Sequence, residues 1–135
     1  MSGDYTTATV LFKIRKAIRY VRLYGPSRTW TKIRGQYHMT APVTFEGPTW
    51  LNAACRDPDA AVRNVGIIGC GNFAFSVIAY YLRREEPRFL RATYDIHRNR
   101  ALSLCRAYAG AKVVSEWTDM LSDPQVKIVF IASNH

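Results

Sequence analysis

The segment Val65-Gly66-Ile67-Ile68-Gly69-Cys70-Gly71-Asn72-Phe73-Ala74 passes from an apolar run through two glycines into a helical pattern. It fits a strand, then G-x-G-x-x-A, then a helix, the order that brings a pyrophosphate onto backbone N–H groups. Gly69 permits a tight turn out of the strand. Gly71 lacks the Cβ that would stand where a pyrophosphate approaches, and Ala74 lets the helix pack close to the sheet. The start of the helix adds free N–H groups and partial positive charge. A glycine turn also serves merely to join a strand to a helix, so the loop needs support from a second residue. Asp95 supplies it, closing the run Leu90-Arg91-Ala92-Thr93-Tyr94 at 24 positions after Gly71. That is near the spacing at which a carboxylate accepts the ribose hydroxyls of an adenosine. Such a carboxylate repels a 2′-phosphate, which favours NAD; NADP stays possible because His97 and Arg98 can offset the charge. The competing role for Asp95 is to cap the helix that begins near Arg98.

These residues require a particular scaffold. Val65 to Gly69, Leu90 to Tyr94, Lys112 to Val114 and Lys127 to Ala132 read as short strands, with helices over Asn72 to Arg84, Arg98 to Ala109 and Glu116 to Leu121. Strands apolar on both faces and separated by helices specify an α/β fold with a parallel sheet and right-handed crossovers. With the dinucleotide loop on its first strand, the expected form is a partial Rossmann-like, doubly wound sheet in order 3-2-1-4. Before it, Val10, Leu11, Ile14, Ala17, Ile18, Val21 and Tyr24 recur at helical spacing, with Lys13, Arg15, Lys16, Arg19 and Arg22 on the opposite arc. Gly25-Pro26-Ser27 stops this helix. The stretch from there to about Arg63 reads as irregular connection with a short helical turn near Trp50 to Ala54. The expected organisation is a basic helical extension over 1–63 and the first part of a dinucleotide-binding domain over 64–135.

Composition bounds the rest. With 135 residues, 48% hydrophobic and 21% charged, the chain can bury one core but not two full domains. Cys55, Cys70 and Cys105 are odd in number and lack ligand spacing, which argues against a disulfide framework and for a reducing, cytoplasmic setting. His38, His97 and His135 are scattered, read as surface or loop residues, and suggest no metal. Cys70, at the tip of the turn, is assigned packing rather than chemistry, and Trp117 is expected to pack its short helix onto the sheet. No apolar run approaches the roughly 18 residues that span a bilayer. Of the net charge of +9, residues 1–64 carry +6 and residues 65–135 carry +3, and between Lys13 and Arg34 there are eight basic residues and no acid.

The succession Ile67-Ile68-Gly69-Cys70-Gly71, Ala92-Thr93-Tyr94-Asp95, Trp117-Thr118-Asp119-Met120-Leu121-Ser122-Asp123-Pro124-Gln125-Val126 and Val129-Phe130-Ile131-Ala132-Ser133-Asn134-His135 resembles the Gfo/Idh/MocA family of glucose-fructose oxidoreductase and inositol dehydrogenase. The similarity covers about residues 64–135. It implies an NAD(P)-dependent dehydrogenase of sugars, sugar nucleotides or cyclitols, acting by hydride transfer. It implies further that Gly69, Gly71, Asn72 and Phe73 line the pyrophosphate, that Asp95 holds the adenosine ribose, and that Ser133 and Asn134 lie near the nicotinamide. Enzymes of that family continue into a Glu-Lys-Pro segment and a substrate domain. The sequence given ends at His135, so no catalytic residue is carried over, and the expectation is a truncated copy or partial gene product with strand Lys127 to Ala132 as an apolar edge.

Two other classes stay open. One is a non-catalytic nucleotide-binding or interaction module that keeps the loop without the chemistry. The other is an adaptor using residues 10–37. The basic helix can pack on the enzyme body or a partner subunit, lie on an anionic membrane surface, or bind nucleic acid through Tyr20, Tyr24, Trp30 and Tyr37. Nucleic acid is the least favoured of these, because no recognisable binding module is formed.

Overall fold

Four short, largely apolar segments pair as strands, and pairing covers their backbone polar groups while helices cover both faces. In the computed structural model, which describes residues 9–44 and 61–133, these are β1 (Val65–Ile68), β2 (Leu90–Tyr94), β3 (Lys112–Val113) and β4 (Ile128–Ile131). All three pairings are parallel, as the alternation of strands and helices predicts, and the order β3-β2-β1-β4 is the one expected of a Rossmann-like sheet. The expected turn near Trp50 to Ala54, together with Cys55, Asn134 and His135, lies outside the described residues.

The chain leaves β1 through the glycine turn into a helix over 72–85. Its segment Ala74–Ile78 is π-helical and the following α3 (Ala79–Glu85) is α-helical. After β2 comes α4 (Arg98–Ala107), and between β3 and β4 the short α5 (Trp117–Leu121). On one face of the sheet Ile67 and Leu90 pack with Ala74, Phe75, Ala101, Leu104 and Tyr108; on the other, Ala92 packs with Val114 and Met120. Trp117 corrects an expectation here. It is half exposed, and Met120, fully buried three residues on, packs α5 onto the sheet. A helix this short presents one position squarely to the strands, and an unbranched thioether fills the narrow space against Gly66 that an indole would not. Asp123 ties the turn after α5 to the sheet, bonding Arg91 at 3.0 Å and Lys112 at 2.5 Å. Burial alone would raise its carboxyl, but Lys112, the Gln125 N–H and Arg91 outweigh burial and hold it at about 2. β4 pairs only with β1 among the described residues, and Ile128 and Ile131 are exposed.

The extension departs most from expectation. The basic amphipathic helix is α1 (Val10–Tyr24), with the predicted ends. The segment after it is not irregular connection but a second helix, α2 (Pro26–Tyr37). Gly25, at φ +84°, turns the chain, and Pro26 then takes the first helical position, where its missing N–H costs nothing. The same Gly-Pro pair that ends α1 therefore starts α2. One face of α2 lies on the helix that follows the glycine turn. Thr31 and Gly35, buried on this face, are small and permit close approach, whereas buried Thr29 lies on the side toward α1. A Cβ on Gly35 would stand 2.5 Å from Asn72 Oδ1 and 3.3 Å from Ser76 Cβ.

Candidate cofactor site

The glycine turn, the end of β2 and the end of β4 enclose a cleft of about 190 Å³ at the carboxyl ends of the strands. Gly69, Gly71, Asp95 and Ser133 all line it. Such crevices, where the direction of strand order reverses, are where ligands of open parallel sheets bind.

The two glycines are required for different reasons. Gly69 has φ +84°, and a Cβ there would stand 2.7 Å from the carbonyl carbon and oxygen of Ala132 and 2.9 Å from the Ser133 nitrogen. Both the turn and the approach of β4 therefore exclude a side chain. At Gly71 the φ is ordinary and a Cβ would meet nothing within 4 Å. The fold itself does not require glycine at 71; the space beside the helix start does, if a group is to rest there. The N–H groups of the first turn, at 72–74, have no partners within the helix, as at any helix start, and are available as donors to an anion. Ala74 is fully buried, as close helix-to-sheet packing demands.

Asp95 joins the turn to the second strand. Its Oδ2 accepts the Cys70 N–H at 2.6 Å and its Oδ1 accepts the His97 N–H at 2.7 Å. It does not cap the first turn of α4, whose N-terminal flank, His97, makes no side-chain cap bond. Each carboxylate oxygen keeps a further lone pair, so two hydroxyl donors can still be accepted. The basic side chain on the cleft wall is Arg100; His97 and Arg98, expected in that role, are exposed outside it. One turn into α4 brings residue 100, rather than 97 or 98, back over the strand ends.

Asn72 and Phe73 begin the helix, and their side chains turn away from the cleft. Phe73 is exposed, and Asn72 Oδ1 faces Gly35 of α2 with no hydrogen-bond partner. Asn134 lies outside the described residues. Cys70 is fully buried, and its thiol is pushed well above its ordinary range, chiefly by burial and then by Asp95, which suits packing.

His38 is the residue that spacing did not reveal. It is 5% exposed, not a surface histidine, and its ring stacks on Phe75 at 4.3 Å. Neither ring nitrogen has a hydrogen-bond partner, although the Gly71 and Cys70 backbone lies near enough to favour the charged form. Burial outweighs that and holds His38 at about 4. Arg28 belongs to the same contact, donating to the Ser76 carbonyl at 2.6 Å while lying over the Tyr80 and Tyr81 rings. On the other side the Tyr108 hydroxyl donates to the Phe75 carbonyl at 2.5 Å. Both carbonyls belong to the π-helical turn, whose wider winding leaves its carbonyls open to lateral donors. The turn that carries the glycine loop is thus held from both flanks.

No group of three or more metal-ligating side chains occurs among the described residues. The family model described as oxidoreductase family, NAD-binding Rossmann fold, matches residues 63–135. No curated protein and no solved structure matches the chain.

Proposed function

We propose, from the premise that this chain belongs to the Gfo/Idh/MocA oxidoreductase family, a specific seat for its dinucleotide and a class of substrate. The family's domain binds NAD, with NADP possible. Residues 69–73 hold the pyrophosphate, with Gly71 leaving the space and the first-turn N–H groups donating. Asp95 accepts the adenosine ribose hydroxyls, and Ser133 and Asn134 border the nicotinamide end. When bound, the nicotinamide supplies a hydride acceptor or donor. The partner in that exchange is a hydroxyl-bearing carbon of a sugar, sugar nucleotide or cyclitol. Asp95 disfavours a 2′-phosphate and Arg100 tempers that preference.

The observation that carries this reading is Gly71: glycine stands where the fold's own atoms would tolerate a side chain, at the mouth of the cleft that Asp95 closes. Calorimetric NAD titration of Gly71→Val, with a melting curve beside it, tests it. The expected variant melts as the parent does and loses roughly a hundredfold or more in affinity, since a branched side chain occupies the pyrophosphate position. Unchanged affinity in the folded variant would overturn the seat. Gly69→Val is the control, because it should fail to fold. Turnover by the intact gene product with a panel of sugars, sugar nucleotides and cyclitols tests the substrate class; NAD binding by that product without turnover of any of them would leave a nucleotide-binding module instead.

A further inference from the structure

Every large apolar side chain that α1 directs away from α2 is uncovered. None of its residues is buried, and Leu11, Ile14, Ile18 and Val21 are 43–74% exposed. Their spacing of three, four and three residues puts them in one stripe along the helix. The half-buried residues of α1, Lys13, Ala17 and Tyr20, mark a neighbouring face, and Ala17 and Tyr20 line a small cavity together with Ile33 and Gln36 of α2 there. Contact with α2 therefore does not use the stripe. Arg15 and Arg22 border it on the side away from α2, with Arg19 beyond them, and all three are exposed.

We propose that α1 is an interfacial anchor that lies on an anionic lipid surface, sinking the Leu11, Ile14, Ile18 and Val21 stripe among the acyl chains and setting Arg15, Arg19 and Arg22 against the headgroup phosphates. Charge selects this occupant. Residues 9–44 contain eight basic side chains and no acidic one. Lys32, between the helices, is lowered from its ordinary value by burial and by the like charges of Arg28 and Lys16. A second copy docked through the same stripe would bring its own arginines against these, with no carboxylate in residues 9–44 of either copy to separate them. Nucleic acid would satisfy the arginines and leave the apolar stripe in water. A bilayer surface offers hydrocarbon and negative charge in adjacent layers along the whole length of the helix. At 15 residues the helix is about 22 Å long, and no helix among the described residues is long and apolar enough to cross a membrane; the geometry is that of lying on the surface.

The test is co-sedimentation of the full chain with phosphatidylcholine vesicles, with and without about one-third phosphatidylserine, at low and high salt. Binding should need the anionic lipid and weaken with salt. Substituting Arg15, Arg19 and Arg22 together by glutamine should weaken it about a hundredfold, at about fivefold per arginine, and Ile14→Asp with Ile18→Asp should abolish it. Because these side chains are exposed, the variants should melt as the parent does. Failure to bind anionic vesicles at low salt overturns the proposal. So does binding that survives the two aspartates, which would be charge attraction alone. Stronger binding to an oligonucleotide, or a concentration-dependent dimer that the aspartates dissolve, would also overturn it. None of these outcomes depends on the cofactor seat.

Discussion

α1 and α2 are adjacent, similar in length and both strongly basic, yet they relate to the body in opposite ways. α1 has the stronger apolar stripe and buries none of it, whereas α2, much more polar, is seated on the helix that carries the phosphate loop. The difference lies in shape rather than hydrophobicity. α2 approaches closely because Thr31 and Gly35 are small, and once close it can use a stacked His38 and a guanidinium on an open carbonyl. Complementarity and lateral hydrogen bonding decide which amphipathic helix docks.

The contrast can be broken most sharply at His38. His38→Ala should cost about 3 kcal/mol by removing a buried stacked ring, read as a lowered urea midpoint. The parent should also lose roughly 2 kcal/mol as pH falls from 6.5 toward about 4. The sign comes from the depressed folded value: the unfolded chain takes up the proton first, so stability is complete above the ordinary histidine range and is lost below it. His38→Phe, which keeps the stack without a titrating group, should flatten that pH dependence, and an unchanged slope would exclude His38 as its source.

Gly35→Val comes next at about 2 kcal/mol, because its branches would press on Ser76 and Phe75 even if Asn72 rotates away. Arg28→Ala should cost about 1.5 kcal/mol, leaving the Ser76 carbonyl without its charged donor. It should also speed hydrogen exchange in the π-helical turn relative to β1. The smallest effect belongs to α1, where Ile14→Ser should stay within about 0.5 kcal/mol. A large loss there would mean that the stripe is covered by the chain itself, and the two helices would no longer differ.

The sheet was legible because its strands are short, largely apolar runs set off by glycine, proline or a charged helix end, and that pattern has few competing readings. α2 was not, for a definite reason. Gly25-Pro26 is a stop signal for the helix before it and a start signal for the helix after it, and a sequence shows both meanings in the same two residues. The buried positions of α2 are threonine and glycine, so no apolar periodicity announced it. Within the site, Gly69, Gly71 and Asp95 were legible from their order and spacing. His38 was not, since a lone histidine 31 positions before the loop has no spacing signature. Arg100 was displaced by two nearer basic residues that the start of α4 turns outward.

Composition and order by themselves determined the parallel α/β fold, the glycine turn and the acid that closes it. Each depends on local backbone preference and on chain connectivity, which act over a few residues or one crossover. Only the tertiary structure decided that Gly69 serves the fold while Gly71 leaves open space. The same holds for Met120 rather than Trp117 packing α5, and for α2 rather than α1 seating on the loop's helix. Those outcomes depend on which atoms meet across many residues of separation, and close packing, unlike periodicity, leaves no mark in the order of residue types.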